Sequence, residues 1–404
     1  MRLQVVSDID SDFLRKIVHD FLRWSRGTLA VPWHAVPPSE LDMLRAWWRA
    51  PRDLSPSSQR FTLWQLAHAT VKADTARHLP SFSVVRRVLG FLMEWSAALT
   101  SAHGNLRFDA SEYADFVKTA LTGRVAQGLA LLYCQDQGYI YISHYSQFLS
   151  GNNRARSKGP DFVLEKRGGC LRALLEAKGT VASAHRSANV RPALRKAKGQ
   201  LETGFKQLSG QVAEGYATLA LLRGLDDTRD SEGFVTRIRN TSEEPPKPTH
   251  PREDLVTRGN YGVWLDFLGL TSLARGLLEP EVKQDIPEST VRVSEFGGKS
   301  IGFVALTPIL RGISPVLRMS PTDLLLATPS TAEQPILVGG LGLSSLELIA
   351  RVARERTSLS AKELPATEMQ TLEFGECVIS MFPDGSALGI VPWSTLEKAE
   401  RKNV

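Results

Sequence analysis

KGPDFVLEKRGGCLRALLEAKGT, running from Lys158 to Thr180, decides how this chain is read. Two short apolar runs, FVLE and LRALLEAKG, flank an Arg167-Gly168-Gly169 corner, the composition of two strands joined by a tight turn. Alternate residues of a strand face the same way, so Glu176 and Lys178 share one face while Ala177 turns away with Leu175. Asp161 follows Gly159-Pro160 at the start of the first strand, and pairing through the glycine corner brings it near Glu176. Two carboxylates brought together repel, and a shared proton or a bound hard cation resolves the repulsion. Mg²⁺ suits such a pair, because it takes oxygen ligands and keeps several waters. A lysine beside it can orient or deprotonate an attacking water, or stabilise charge on a phosphate oxygen.

Outward from this stretch the texture is α/β. Ala110 to Gln135 carries a long helix pattern, and GYIYISHYS is rich in aromatic and β-branched residues and reads as a strand. VRPALRKAKGQLETGFKQL is a helix with Leu194, Ala197, Leu201, Phe205 and Leu208 on one stripe. GYATLALLRG and GFVTRIRN follow as strands. The order is therefore helix, three strands, helix, strand.

With Pro160-Asp161 followed by Glu176-Ala177-Lys178, the chain resembles the PD-(D/E)xK nucleases, whose signature is split by a hairpin in the same way. The resemblance covers Ala110 to Asn240 and implies a restriction-endonuclease-like αβββαβ core. By residue match it makes Asp161, Glu176 and Lys178 catalytic. Asp161, Glu176 and the Ala177 carbonyl become the metal ligands, with Mg²⁺ as cofactor and Mn²⁺ expected to substitute. The helix before the first strand departs from the family pattern. It carries no acid in its central turns, and the polar residue nearest that role is Gln127. A second match, Pro383-Asp384 with Glu400-Arg401-Lys402, reads as a decoy. Asp384-Gly385 suits a hairpin turn, and STLEKAERK alternates charge like a solvated terminal helix.

Basic residues cluster beside the first motif. Arg191, Arg195 and Lys198 fall at i, i+4 and i+7, and Arg154, Arg156 and Lys158 lie just before it. Such a group suits a phosphate backbone, so the expected partner is nucleic acid, most simply DNA, with a second copy or a partner subunit also open. The RAWWRAPR stretch, Arg45 to Arg52, mixes Trp with Arg but reads better as a helix burying Leu44 and one Trp than as a base-stacking platform.

The 404 residues exceed one ordinary core. Four segments are expected in a multidomain α/β chain: an all-helical N-terminal domain over 1–105, the nuclease-like domain over 106–240, a Pro-rich linker over 241–254, and a mixed α+β C-terminal domain over 255–404. Hydrophobic content of 42% and charged content of 23% fit a globular protein. No apolar run reaches the roughly 18 residues that span a bilayer, and the acid-broken N-terminus is no secretory signal, so a cytoplasmic location away from membrane is expected. Three scattered cysteines argue against a disulfide framework or a structural zinc site, and no P-loop or Ser-His-Asp pattern occurs. The net charge of +6 is small for this length. Three readings stand on the residues: a Mg²⁺-dependent DNA endonuclease of a restriction, anti-phage defence or mobile-element system; an inactive nucleic-acid-binding or scaffold subunit of the same fold; and a ribonuclease.

Overall fold

Alternating burial along TLAVPWHA, with Leu29, Val31 and Trp33 inside, makes a strand of a segment expected to be helical. The computed structural model of the chain describes residues 27–41, 57–75, 98–102, 104–109, 113–148, 159–168, 172–182, 190–208, 211–240, 254–282, 285–306, 335–365, 367–375 and 377–404. In chain order the first half holds β1 (Thr28–Ala35), α1 (Pro38–Leu41), β2 (Ser57–Thr62), α2 (Leu63–Thr75), β3 (Leu99–Ala102), β4 (Asn105–Phe108), α3 (Asp115–Asp136), β5 (Tyr139–His144), β6 (Phe162–Lys166), β7 (Arg172–Ala182), α4 (Val190–Gln207), β8 (Glu214–Arg223) and β9 (Glu232–Arg239). The second half holds α5 (Leu255–Phe267), α6 (Thr271–Leu278), β10 (Thr290–Phe296), β11 (Lys299–Ala305), β12 (Pro335–Gly342), α7 (Leu343–Glu355), β13 (Gln370–Phe374), β14 (Cys377–Met381), β15 (Ser386–Pro392), α8 (Trp393–Lys398) and β16 (Glu400–Asn403).

The helix, three strands, helix, strand order read from the sequence is the order of α3 to β8. These strands belong to a nine-stranded mixed sheet ordered β3-β4-β1-β9-β8-β7-β6-β5, with β2 paired to β1. β5, β6 and β7 form an antiparallel meander, and α4 is the crossover that returns the chain to β8, parallel to β7. The N-terminal region is not all-helical. β1 runs parallel to β9 and joins the same sheet, so the boundary expected at residue 105 falls inside one continuous sheet. The expected helices over Ser11–Trp24 and through RAWWRAPR lie outside the described residues, as do Arg154, Arg156 and Lys158 and the segment 241–253.

The strands β10 to β16 build a seven-stranded sheet, β13-β14-β15-β12-β11-β10-β16, in which every pair is antiparallel. The two expected hairpins are β10–β11 and β14–β15. Asp384 lies in the turn of the second, as expected. Glu400 does not lie on a terminal helix: it opens the edge strand β16, which pairs with β10.

One buried helix joins the two sheets. α2 is inside almost throughout, since its two sides face different neighbours. Leu66 and Thr70 press on α3 at Gly128. The opposite stripe, spaced i, i+4, i+8, reaches the second sheet. Trp64 Nε1 donates to the Leu388 carbonyl at 2.9 Å, His68 Nδ1 meets Ser380 Oγ at 3.1 Å, and Lys72 pairs with Asp384. Asp384 also accepts from Asn260 Nδ2 at 2.8 Å and from Ser386 Oγ at 2.7 Å. Burial, then Lys72 beside it, pushes His68 down to about 3, so the ring is neutral. α5 docks on β5 and β6, with Asn260 Oδ1 accepting from Ile142 N and Thr257 Oγ1 donating to Glu165 at 3.1 Å. Asp254, the last residue of the expected linker, is buried; it accepts from Arg258 Nε and from Leu359 N at 2.7 Å.

Removing one partner of a buried ion pair leaves the other charge desolvated and alone. Lys72→Met is therefore expected to lower the unfolding free energy by about 3–5 kcal/mol in urea titrations, and adding Asp384→Leu to recover much of that loss. A single mutant as stable as the parent would show that the pair does not join the sheets.

Candidate functional site

The register of β6 against β7 builds the site. Phe162 pairs with Leu175 and Val163 with Leu174, and Asp161, the residue before β6, lies at the end of this ladder, close enough to Glu176 for the two carboxylates to repel. Asp161 N donates to the Leu175 carbonyl at 3.1 Å, so Asp161 and Phe162 both face Leu175 in a bulge-like irregularity that ends the ladder. Its carboxylate Oδ2 accepts from Ala177 N at 3.1 Å. A strand residue aims its N–H and C=O at the same edge. The Ala177 carbonyl therefore aims at the edge where Asp161 lies, while Glu176 presents its carbonyl to Thr218 Oγ1 on β8 at 3.2 Å.

Two helices press on β7 from opposite faces. On the Ala177 side, a Cβ on Gly179 would come within 2.6 Å of the Thr122 carbonyl of α3, so only glycine allows that approach. On the Glu176 side, Gly204 of α4 lies against Leu174 and Pro160, where a Cβ would come within 2.7 and 2.9 Å. Glu176 is only 1% exposed as a result. Lys178 shares its face, with its side chain one-quarter exposed, and donates to Glu176 Oε1. Glu176 Oε2 is buried and makes no hydrogen bond of good geometry among the described residues, although the nearby Asp161 N–H favours the charged carboxylate. Burial first, and then the neighbouring Asp161 charge, push the Glu176 carboxyl up to about 7, against the opposing pull of Lys178.

Asp161, Glu176, Ala177 and Lys178 are thus brought together, as the motif required. Gln127 is not. It follows Ala126 on α3, the helix that packs on the Gly179 face, whereas Glu176 and Lys178 project from the face under α4. No hydrogen bond joins it to the others among the described residues. The basic stripe on α4 divides. Arg191 is buried, and Arg195 donates through Nε and Nη2 to the Leu41 carbonyl at 3.1 and 2.6 Å. The last carbonyls of a helix lack internal partners, so the end of α1 draws in this guanidinium. Lys198 pairs with Glu202 at 3.5 Å. Spacing alone placed the three on a helix face, and tertiary packing turned some of that face inward.

Sequence reasoning passed over Gln200. Its Nε2 donates to the Gly159 carbonyl at 3.0 Å, and its buried Oε1 has no partner among the described residues. The signal was present, because Gln200 lies three residues after Ala197 and four before Gly204, on the buried side of the helix.

The donor set fits a hard divalent cation: two carboxylates, one with an unpartnered buried oxygen, and a backbone carbonyl aimed at the same edge. No group of three or more His, Cys, Asp or Glu side chains with metal-binding placement occurs among the described residues, so these two carboxylates would be its only acidic ligands there. In comparisons with known proteins the chain matches no family model, no curated protein and no solved structure. Among the described residues, no helix is long and apolar enough to cross a membrane.

The raised Glu176 carboxyl has a signed consequence. Its folded value lies above its unfolded one, so the metal-free protein is favoured by this group at low pH and loses that contribution as pH rises from about 4.5 to about 7. A cation needs the carboxylate, so Mn²⁺ affinity measured by calorimetry is expected to fall as pH drops below about 7. Glu176→Gln is expected to raise metal-free stability at pH 8 by on the order of 1–3 kcal/mol while removing cation binding. Stability that is lowered by the substitution at that pH would count against the buried charge.

Proposed function

We propose that the chain is a Mg²⁺-dependent nuclease that hydrolyses phosphodiester bonds, with DNA as the substrate. One observation carries this reading. Asp161, just before β6, bonds Ala177 N and lies close to Glu176 of β7, Glu176 keeps a buried oxygen without a hydrogen-bond partner among the described residues, and Lys178 stands on the same face at the solvent side. A structural pair has no need of that combination, because a buried carboxylate beside another is costly unless something positive completes it.

In this reading Asp161, Glu176 and the Ala177 carbonyl hold the cation, which when bound supplies Lewis acidity and charge neutralisation at the scissile phosphate. Ala177 N fixes the Asp161 carboxylate through its hydrogen bond. Lys178, paired with Glu176 and one-quarter exposed, would offer its ammonium to a phosphate oxygen or to proton transfer with the attacking water. Exposed Lys196 and Lys206 on α4 are available to the backbone, and Arg154, Arg156 and Lys158 are proposed as further phosphate contacts from their place in the sequence. A setting in restriction, anti-phage defence or mobile-element biology, with a partner subunit or second copy, belongs to the same proposal.

An inactive nucleic-acid-binding subunit is the second reading. The two-carboxylate set, with no third acid beside it among the described residues, favours that alternative.

Cleavage of supercoiled plasmid, single-stranded DNA and RNA in Mg²⁺ or Mn²⁺ separates the readings. Asp161→Ala and Glu176→Ala are expected to lose cation binding and turnover together. Lys178→Ala is expected to keep cation binding at pH 8.5 and to slow cleavage about 10²–10⁴-fold. Cleavage by Lys178→Ala at the parent rate would remove lysine from the chemistry. Nucleic-acid binding without cleavage by any metal-loaded form would favour the inactive subunit.

A further inference from the structure

α4 runs antiparallel to β7 and β8, because it is the crossover between two parallel strands. Phe205 lies against Gly215 near the start of β8, and Leu194 packs with Leu219 and Leu221 further along it. Gly204 faces Leu174. One helical turn back from Gly204 is Gln200, a shift of about 6 Å along the axis. Two residues forward from Leu174 is Glu176, a shift of about 6.6 Å along the strand. Gln200 therefore sits over Glu176, on the face that also carries Lys178.

The orientation of the Gln200 amide follows from its neighbour. A carbonyl oxygen only accepts, so the end that touches the Gly159 carbonyl at 3.0 Å is the NH₂ group. Oε1 is then the other end. Two buried oxygens, Gln200 Oε1 and Glu176 Oε2, lie on the facing sides of α4 and β7 without hydrogen-bond partners among the described residues. A buried acceptor left unsatisfied is costly, and two of them on facing elements call for a positive partner.

We propose that Gln200 supplies a further oxygen donor to the cation held by Asp161 and Glu176. A glutamine carbonyl is a suitable ligand for a hard divalent ion. The contribution comes from the helix after the motif strands, while α3, the helix before them, lies across the sheet. The Nε2 bond to Gly159 gives Gln200 a second task, since Gly159-Pro160 leads directly into Asp161 and the same side chain steadies the segment carrying the first carboxylate. This inference rests on the reading of Asp161 and Glu176 as a cation site.

The test is Mn²⁺ titration by calorimetry of the full chain at pH 8, with thermal unfolding of the metal-free proteins alongside. The variants are Glu176→Gln, Gln200→Met and Gln200→Glu. Gln200→Met keeps the length and removes the oxygen, and is expected to weaken Mn²⁺ binding about tenfold. Gln200→Glu adds a carboxylate, and is expected to bind Mn²⁺ more tightly than the parent. Parent-like affinity in both Gln200 variants, with binding abolished by Glu176→Gln, would overturn the role of Gln200 and leave the two-carboxylate site standing. A parent protein that binds no Mn²⁺ in a Glu176-dependent way would overturn both. Equal or weaker binding by Gln200→Glu overturns the inference even where Gln200→Met fails to fold.

Discussion

The Glu176 carboxylate lies beneath α4 with one oxygen on Lys178 and the other unpartnered among the described residues. Taking a carboxylate out of water costs free energy unless positive charge or donors replace the lost hydration. Much of the first sheet is arranged around this constraint. The bonds of Asp161 to Leu175 and Ala177 set it beside Glu176, the close approach of α3 at Gly179 and of α4 at Gly204 seals both faces of β7, and one lysine supplies only some of the compensation. The raised carboxyl expresses the remainder. In the proposed function that remainder is the affinity for a cation.

A second buried charge, on Asp384, is treated in the opposite way. Lys72, Asn260 and Ser386 all serve it, and burial is outweighed by these partners, so the Asp384 carboxyl is held below the usual range. The group is complete, whereas the group at Glu176 is not. This difference separates the two matches to the same short motif better than sequence spacing does. Pro383-Asp384 is a junction between α2, α5 and the β14–β15 turn, and it fixes one sheet against the other.

Positive charge on α4 shows how a helix face is divided by its neighbours. Arg191 is buried, Arg195 is tied to the end of α1 while staying exposed, and Lys196 and Lys206 are exposed. An arginine that satisfies the last carbonyl of a helix gains charge-assisted hydrogen bonds that a solvated one lacks. Electrostatic attraction of a polyanion to this region thus depends on fewer α4 side chains than the count of basic residues suggests.

Local pattern was enough to set the elements from α3 to β8, because each carries a strong period: 3.6 along the Leu194–Leu208 stripe and strand-like apolar runs at β6, β7 and β8. It was also enough to put Glu176 and Lys178 on one face, since that follows from strand geometry alone. It did not reveal that Thr28–Ala35 and Ser57–Thr62 are strands. The first contains Pro32 and owes its alternating burial to pairing with β2 and with the distant β9. Nor did it reveal which helix reaches the carboxylates. Residues 127 and 200 are both glutamines on helices packed against β7, and they differ in which side of the sheet their helix covers. That choice is made by the crossover between β7 and β8 and by the two glycine contacts. These are long-range packing facts with no local signal in the chain.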